Sequence, residues 1–170
     1  MPNTVASVIL PAARTSRALG EALLKGVRTE DFARHPKGVL TNHPAWVYGH
    51  LSIYPDWMLG MIGKPELTRP REGFEPLFAN KTECKDDPSG TIYPAMETIT
   101  SHFMERMDTV IKAIAETDDA VFAKPNPSDA MKDRFPTVGA MVNFMLGSHC
   151  MMHLGQVSAW RRIMGLGSAM

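Results

Sequence analysis

The 170-residue sequence contains little cysteine and no excess of either charge. Its two cysteines, Cys84 and Cys150, form no CxxC pair and are too few for a disulfide framework, so we expect a protein of the reducing cytoplasm. Lysine and arginine together number 18, which equals the 18 aspartates and glutamates. A chain without net charge lacks the broad basic surface that holds nucleic acid or an anionic membrane, so we expect neither as a partner.

Long uninterrupted apolar runs are also missing. Residues 38–55 and 135–160 contain no charged side chain, but asparagine, histidine and proline interrupt both segments. They are too polar to face lipid, and we interpret them as core segments of one globular domain spanning residues 1–170. No basic region followed by an apolar run and a small-residue cleavage site is present at the start, so no secretory signal is expected.

The spacing of apolar residues at steps of three and four predicts an all-α protein, without a convincing strand. The predicted helices cover roughly residues 4–28, 44–62, 94–117 and 137–164. Pro11 requires a kink or a later start of the first helix, and Pro55 predicts a bend in the second. Gly165 ends the last helix.

Two longer connections join these helices. Residues 63–93 carry several prolines and mixed charges without a period, which predicts a long surface connection between helices 2 and 3. Residues 118–136 form the second connection. Four long helices favour a four-helix bundle, a fold in which facing helices can supply the side chains of a ligand site.

Two histidines in the last predicted helix are candidate metal ligands. His149 and His153 are four residues apart, so their rings lie on one helix face and can share an ion. The alternative is a pair of core histidines whose nitrogens are satisfied by carbonyls or water. An uncharged segment makes the metal interpretation stronger, because two buried imidazoles both need partners.

His50 is the best candidate for a third ligand, which a catalytic zinc-type site needs besides an open position for water. It shares the apolar stripe of the second helix, within the other uncharged segment. His43 is predicted to lie at a helix start, His35 in a polar connection, and His102 on a half-exposed face of the third helix. We keep His102 as a reserve ligand.

The sequence lacks the HExxH motif, because His149 is followed by Cys150 rather than glutamate. The general base of zinc proteases is therefore missing. Cys150 points about 100° away from His149 around the helix and is predicted to be a packed thiol. Three neutral imidazoles would leave a divalent ion with its full charge, able to acidify water or hold a thiolate. Without a carboxylate in either uncharged segment, thiolate activation is favoured over hydrolysis.

Five further residues have two interpretations each. Gln156 either supports a ligand histidine or packs between helices. Trp46 and Trp57 either line an aromatic pocket or, as we favour, pack in the core. Arg161 and Arg162 lie in the last helical turn, where cations favour the helix dipole, and binding of an acidic thiol cofactor is the alternative.

Two sequence strings resemble a known family. The string HCMMHLGQ at residues 149–156 is similar to the HxxxHxGQ helix of the DinB-like (DNA-damage-inducible protein B) superfamily. The string NHPAWVYGHL at residues 42–51 is similar to the second-helix motif of that family, which ends in its first ligand histidine. The long segment 63–93 and Pro55 are less typical of the family.

The resemblance implies a four-helix bundle, often a homodimer, in which His50, His149 and His153 bind a divalent metal such as zinc or nickel. Members of that family include transferases that use the low-molecular-weight thiols bacillithiol or mycothiol, a maleylpyruvate isomerase, and proteins described as metal-dependent hydrolases. We therefore expect a metal-dependent thiol transferase or hydrolase that acts on a small-molecule substrate.

Two other classes of function stay open on the sequence alone. The ion could only staple the helices of a non-catalytic metal-binding protein, and its removal would then cost much thermal stability. Alternatively, a dimer surface rich in some of the 13 methionines could make the chain an interaction protein.

Overall fold

The computed structural model describes residues 4–169, and the regular structure across them is helical. The strand-like pairing within this range is an isolated bridge between Pro125 and Thr137. The prediction of an all-α protein is therefore confirmed. The helices are α1 (Thr4–Leu23), α2 (Pro44–Met61), α3 (Phe74–Phe78), α4 (Met96–Ala115), α5 (Asp119–Phe122), α6 (Val138–Phe144) and α7 (Cys150–Ile163).

Helix α1 ends at Leu23, earlier than the predicted residue 28. The chain turns at Gly26, whose φ of 75° is left-handed and easily adopted only without a Cβ atom. Pro11 lies inside the helix, which excludes the alternative of a later start. The guanidinium of Arg161 caps the helix end by donating to the carbonyls of Leu23 and Lys25, at 2.8 and 2.6 Å.

Helix α2 begins as predicted, after His43. The Nδ1 atom of this N-cap residue accepts the backbone N–H of Trp46 at 3.3 Å, and Pro44 occupies the first turn. The helix continues through Pro55 to Met61. Every residue from Pro44 to Ser52 is buried, because α3, α4 and α7 pack around this helix. Its central position explains why the sequence shows no polar face there.

The predicted long connection over residues 63–93 contains regular structure that the sequence did not indicate. The segment contains a 3₁₀ turn at Pro65–Leu67 and helix α3, whose Phe74 and Phe78 are buried one turn apart. Five residues are too few for a periodic signal. The carboxylate of Asp87 folds the end of the segment by accepting the backbone N–H groups of Thr91, Ile92 and Tyr93. The segment is therefore packed onto the helices.

Helix α4 packs against α1 and α2. Its Arg106 is buried and donates to the carboxylate of Asp56 on α2 at 2.8 Å. The predicted last helix is continuous from Val138 to Ile163, but Met145–His149 form a π-helical turn between α6 and α7. The short helix α5 in the second connection was not predicted. No helix within residues 4–169 is long and apolar enough to cross a membrane.

Candidate metal centre

The three predicted histidines lie together, although they come from distant parts of the chain. His50 projects from the middle of α2, while His149 and His153 project from the end of the π turn and from α7. One nitrogen of each ring lies within 4.8 Å of the other two, and the ring centroids are 4.6 to 5.4 Å apart. His50 and His153 are buried and His149 is half-buried. The group is thus compatible with a metal site.

The second histidine of the group, His149, is the last residue of the π turn. Met145–His149 form this wider turn, and the α-helix resumes at Cys150. Such turns insert an extra residue into a helix and occur frequently at functional sites. Neither a proline nor a periodicity break in the sequence predicted it. The turn sets the angle at which His149 faces the other two rings.

The ring of His50 is oriented by a hydrogen bond to the backbone of α3. Its Nδ1 lies 2.7 Å from the carbonyl oxygen of Phe78, so Nδ1 carries the proton and donates it. The ring of Trp46 stacks on it with a centroid distance of 4.6 Å. This tautomer leaves Nε2 of His50 as the nitrogen with a free lone pair.

The close approach of α3 depends on a glycine beside His50. A Cβ atom on Gly49 would lie 2.5 Å from the ring of Phe78, well inside contact distance. Any larger residue would push away the segment whose carbonyl orients His50. The sequence carried no sign of this requirement, because α3 itself was not predicted.

The ring of His153 is held from behind by a side-chain amide. Its Nδ1 lies 3.1 Å from Oε1 of Gln156, and Asn42 donates to the same oxygen at 3.0 Å. Because an amide oxygen accepts, Nδ1 carries the proton and Nε2 of His153 has a free lone pair. Of the two interpretations of Gln156, the structure shows contact with the predicted ligand ring.

Burial keeps these histidines neutral. Loss of solvent, together with the like charge that the neighbouring rings would carry, lowers the pKa of His50 to about 4 and that of His149 to about 3. Loss of solvent also lowers the pKa of His153. At neutral pH the group therefore offers unprotonated nitrogens.

The donor set fits a divalent metal ion. Nδ1 of His149 is buried and has no hydrogen-bond partner among residues 4–169, a costly arrangement unless the ring serves another purpose. Imidazoles suit zinc and nickel, and ligand histidines usually donate their other N–H to a carbonyl or carboxylate. His50 and His153 have such acceptors in Phe78 and Gln156.

A cavity of about 740 Å³ lies against the three histidines. Its walls are mainly aromatic and thioether side chains, among them Trp46, Trp57, Phe74, Phe144 and Met145. The expectation of core packing is wrong for Trp57, which is 38% exposed and lines the cavity. Trp46 is buried in the core and lines the cavity as well.

Carboxylates also line this cavity, which the sequence did not lead us to expect. Asp56 and Glu75 both contribute to the wall, from α2 and α3. Asp56 is engaged by Arg106, and Glu75 is exposed. Asp56 follows the first uncharged segment directly, whereas Glu75 comes to the site only through the fold of residues 63–93.

The remaining candidate residues lie outside the three-histidine group. His102 lines the cavity outside the histidine group, and it is buried rather than half-exposed. Cys150 is the packed thiol that was predicted, and burial raises its pKa to about 12. Arg161 is buried and caps α1, which leaves it unavailable to an acidic cofactor, while Arg162 lies exposed in the last turn of α7.

These features define an all-helical protein with a buried three-histidine group beside a cavity. A family model described as the DinB superfamily matches residues 12–157, which include all three histidines. The chain belongs to the DinB superfamily. Comparisons with curated proteins and with solved structures gave no significant match.

Proposed function

We propose that this chain is a metal-dependent enzyme acting on small molecules, with thiol transfer favoured over hydrolysis. His50, His149 and His153 would hold a divalent ion such as zinc or nickel. The observation that carries the proposal is the cavity, since it brings space for a substrate directly to three neutral imidazoles. A site that only stapled helices would need no such space.

The ion, the groups that orient its ligands and the cavity wall have separate roles in this proposal. A bound divalent ion would supply the Lewis acidity that activates a thiol or water. The Phe78 carbonyl and the Gln156 amide hold two rings so that Nε2 points away from each acceptor. The aromatic and thioether side chains make much of the cavity wall apolar, and electrostatic interactions are stronger beside an apolar wall than in bulk water.

The preference for thiol transfer rests on the state of the carboxylates. Asp56 accepts the buried guanidinium of Arg106 and is therefore not free to remove a proton. Glu75 is the other carboxylate of the cavity wall and is exposed. A low-molecular-weight thiol needs less help from a general base than water does, because it is the stronger acid.

The architecture we propose is a four-helix bundle formed by α1, α2, α4 and the α6–α7 span, as one domain over residues 1–170. Contacts of α1 and α2 with both other members support it. We also propose a homodimer, which light scattering during gel filtration tests. The two cysteines are free thiols, which supports a reducing cytoplasm as the compartment.

The metal half of the proposal is tested by elemental analysis. Wild-type protein and the variant His149→Ala/His153→Ala are purified identically, loaded with the same excess of zinc or nickel, and then desalted to remove unbound ion. We expect the variant to lose the ion that the three histidines hold. Equal metal content in both proteins would refute the site.

The enzymatic half of the proposal is tested by measuring turnover. The metal-loaded protein is screened with low-molecular-weight thiols against electrophilic small molecules, and the His149→Ala/His153→Ala protein serves as the matched control. We expect thiol consumption that depends on the histidines. Turnover no faster than that of the free metal ion would remove the enzyme proposal and leave a binding protein.

A further inference from the structure

A second group of metal-ligating side chains lies at the start of α2. One donor atom each from His35, His43 and Cys84 lies within 4.8 Å of the other two. Nε2 of His35 is 3.5 Å from Sγ of Cys84, and the centroids of the two imidazole rings are 5.3 Å apart. None of these residues lines the cavity beside His50, His149 and His153, which we call the first histidine group.

Three separate chain segments converge on this group. His35 comes from the connection between α1 and α2, His43 is the N-cap of α2, and Cys84 belongs to the segment between α2 and α4. His43 is fully buried, whereas His35 and Cys84 are half-buried, so one side of the group remains open to an entering ion. The backbone N–H of His35 is fixed by the carboxylate of Asp86 at 2.7 Å.

We propose that His35, His43 and Cys84 hold a second metal ion, a zinc-class divalent cation with a structural role. Thiolate sulfur and imidazole nitrogen are the preferred ligands of such ions in proteins. Binding converts the Cys84 thiol into a thiolate: the sulfur–hydrogen bond breaks, the proton passes to solvent, and the sulfur electron pair bonds to the ion. No oxidant or reductant is required.

His43 must exchange a contact for this role. Its Nδ1 accepts the backbone N–H of Trp46 at 3.3 Å, and its Nε2 lies 2.8 Å from the carbonyl oxygen of Lys85. Binding through Nδ1 replaces the contact with Trp46 and leaves the Nε2–H donating to Lys85, whereas binding through Nε2 moves its proton to Nδ1 and replaces both contacts. A single neutral hydrogen bond contributes little net stability, and a bond to a divalent ion is far stronger.

The position of the group indicates what the ion would do. Cys84 lies six residues after Phe78, whose carbonyl orients His50. His43, the N-cap of α2, lies seven residues before His50. An ion shared by His43 and Cys84 would clip residues 63–93 onto the start of α2. The cavity wall formed by α3 would then be held at both ends, since α3 also packs against α2.

Cobalt(II) titration of the full-length chain tests the proposal without relying on the first site. The protein used is the variant His149→Ala/His153→Ala, which lacks two of the three histidines beside the cavity. We expect it to bind one equivalent of Co²⁺ with a near-ultraviolet sulfur-to-cobalt absorption band, because the second group alone contains sulfur. Absence of this band at saturating Co²⁺ overturns the proposal.

Two cysteine variants in that background identify the sulfur. Cys84→Ser should abolish the band, and Cys150→Ser, the matched control at the other thiol, should retain it. A band that survives Cys84→Ser, or that disappears with Cys150→Ser while Cys84 is intact, overturns the assignment. Circular dichroism of each metal-free protein verifies that the helices are formed.

If Cys84→Ser does not fold, a third variant tests the proposed second metal site. His35→Gln removes a half-buried ligand and leaves the backbone contact to Asp86 in place. We expect its affinity for Zn²⁺, measured by competition with a chromophoric chelator in the His149→Ala/His153→Ala background, to fall at least tenfold. Unchanged affinity would show that His35 is no ligand and overturn the three-residue site.

Discussion

Individual hydrogen-bond acceptors next to His50 and His153 hold these two rings in place. The Phe78 carbonyl fixes His50, and the Gln156 amide, itself held by Asn42, fixes His153. His149 lacks an equivalent acceptor at its buried Nδ1 within residues 4–169, so its orientation depends on the π turn and on packing. The three rings therefore differ in the hydrogen bonds that orient them, and a substitution can remove such a bond from one ring at a time.

Replacing Gln156 with alanine should weaken metal binding without removing a ligand. The Nδ1–H of His153 loses its acceptor, so the ring can rotate or change tautomer, and we expect an affinity loss of about 10- to 100-fold for Zn²⁺. Gln156→Glu keeps an acceptor oxygen and should retain most of the affinity. Competition with a chelator at fixed pH measures both, and equal affinity of wild type and Gln156→Ala would contradict the role.

Replacing His102 with leucine should make stability less dependent on pH. Burial lowers the pKa of His102, against the opposing effect of Asp56, and its Nε2 has no partner among the described residues. Below the unfolded-state pKa of about 6.5, the histidine becomes protonated in the unfolded chain while it stays neutral in the folded chain. The free energy of unfolding of the wild type therefore decreases as the pH is lowered.

The stability gain of His102→Leu over wild type should therefore grow as pH falls from 7 to 5. The slope cannot exceed about 1.4 kcal/mol per pH unit, which corresponds to one proton. Urea denaturation of the metal-free proteins at several pH values measures the difference. A difference that stays constant with pH would contradict a lowered pKa at His102.

At the scale of elements, helix α2 organises the site. It carries His50 and contacts α3, α4 and α7. Its N-cap is His43, one of the three residues of the proposed second metal site. The short helix α3 contributes to the site through a backbone carbonyl and through its fit against Gly49. Contact between these two helices is therefore a point at which a single methyl group can disturb the site.

Gly49→Ala should be destabilising although alanine is the better helix former. The added Cβ would meet the Phe78 ring at 2.5 Å, and overpacking of this kind costs about 1–3 kcal/mol. Gly60→Ala is the matched control on the same helix, since nothing lies within 4 Å of its Cβ position. We expect that control to be stabilising by about 0.5–1 kcal/mol.

Chemical denaturation gives both changes in the free energy of unfolding. Opposite signs for the two glycines are the expected result. Equal effects at both positions would show that α3 does not press on Gly49 and that the Phe78 carbonyl is free to move away from His50.

At the scale of the whole molecule, a large apolar core joins the helices. Large side chains such as Trp160, Tyr48 and Phe103 are fully buried, and Trp160 also donates to the carbonyl of Arg34 at 2.8 Å. Buried apolar surface is the main source of folding free energy. The helices therefore have a reason to stay folded when the ion is removed.

Metal removal should lower the melting temperature and leave the helices folded. An ion present at 100 times its dissociation constant adds only about 2.7 kcal/mol, on the assumption that it binds the folded state alone. Circular dichroism during heating, with and without a chelator, measures the shift. Loss of helical signal at 25 °C in the chelator would contradict the prediction and favour the alternative of an ion that staples the helices.

Much of the fold and part of the site could be predicted from the sequence because the relevant patterns are local. The four long helical spans follow from apolar periodicity, and the start of α2 follows from His43 and Pro44. The pairing of His149 with His153 on one face is a property of helix geometry. The addition of His50 needed only the inference that uncharged segments are buried.

Tertiary structure alone decided what surrounds these histidines. The contact of Phe78 with His50, the space that Gly49 leaves, the approach of Glu75 to the cavity and the meeting of His35, His43 and Cys84 all join residues far apart in the chain. Periodicity reports which face of a helix is buried and carries no information about the partner that covers it. The sequence by itself determined that His50, His149 and His153 face inward, because local spacing and the absence of charge report burial, and packing between segments determined what holds them.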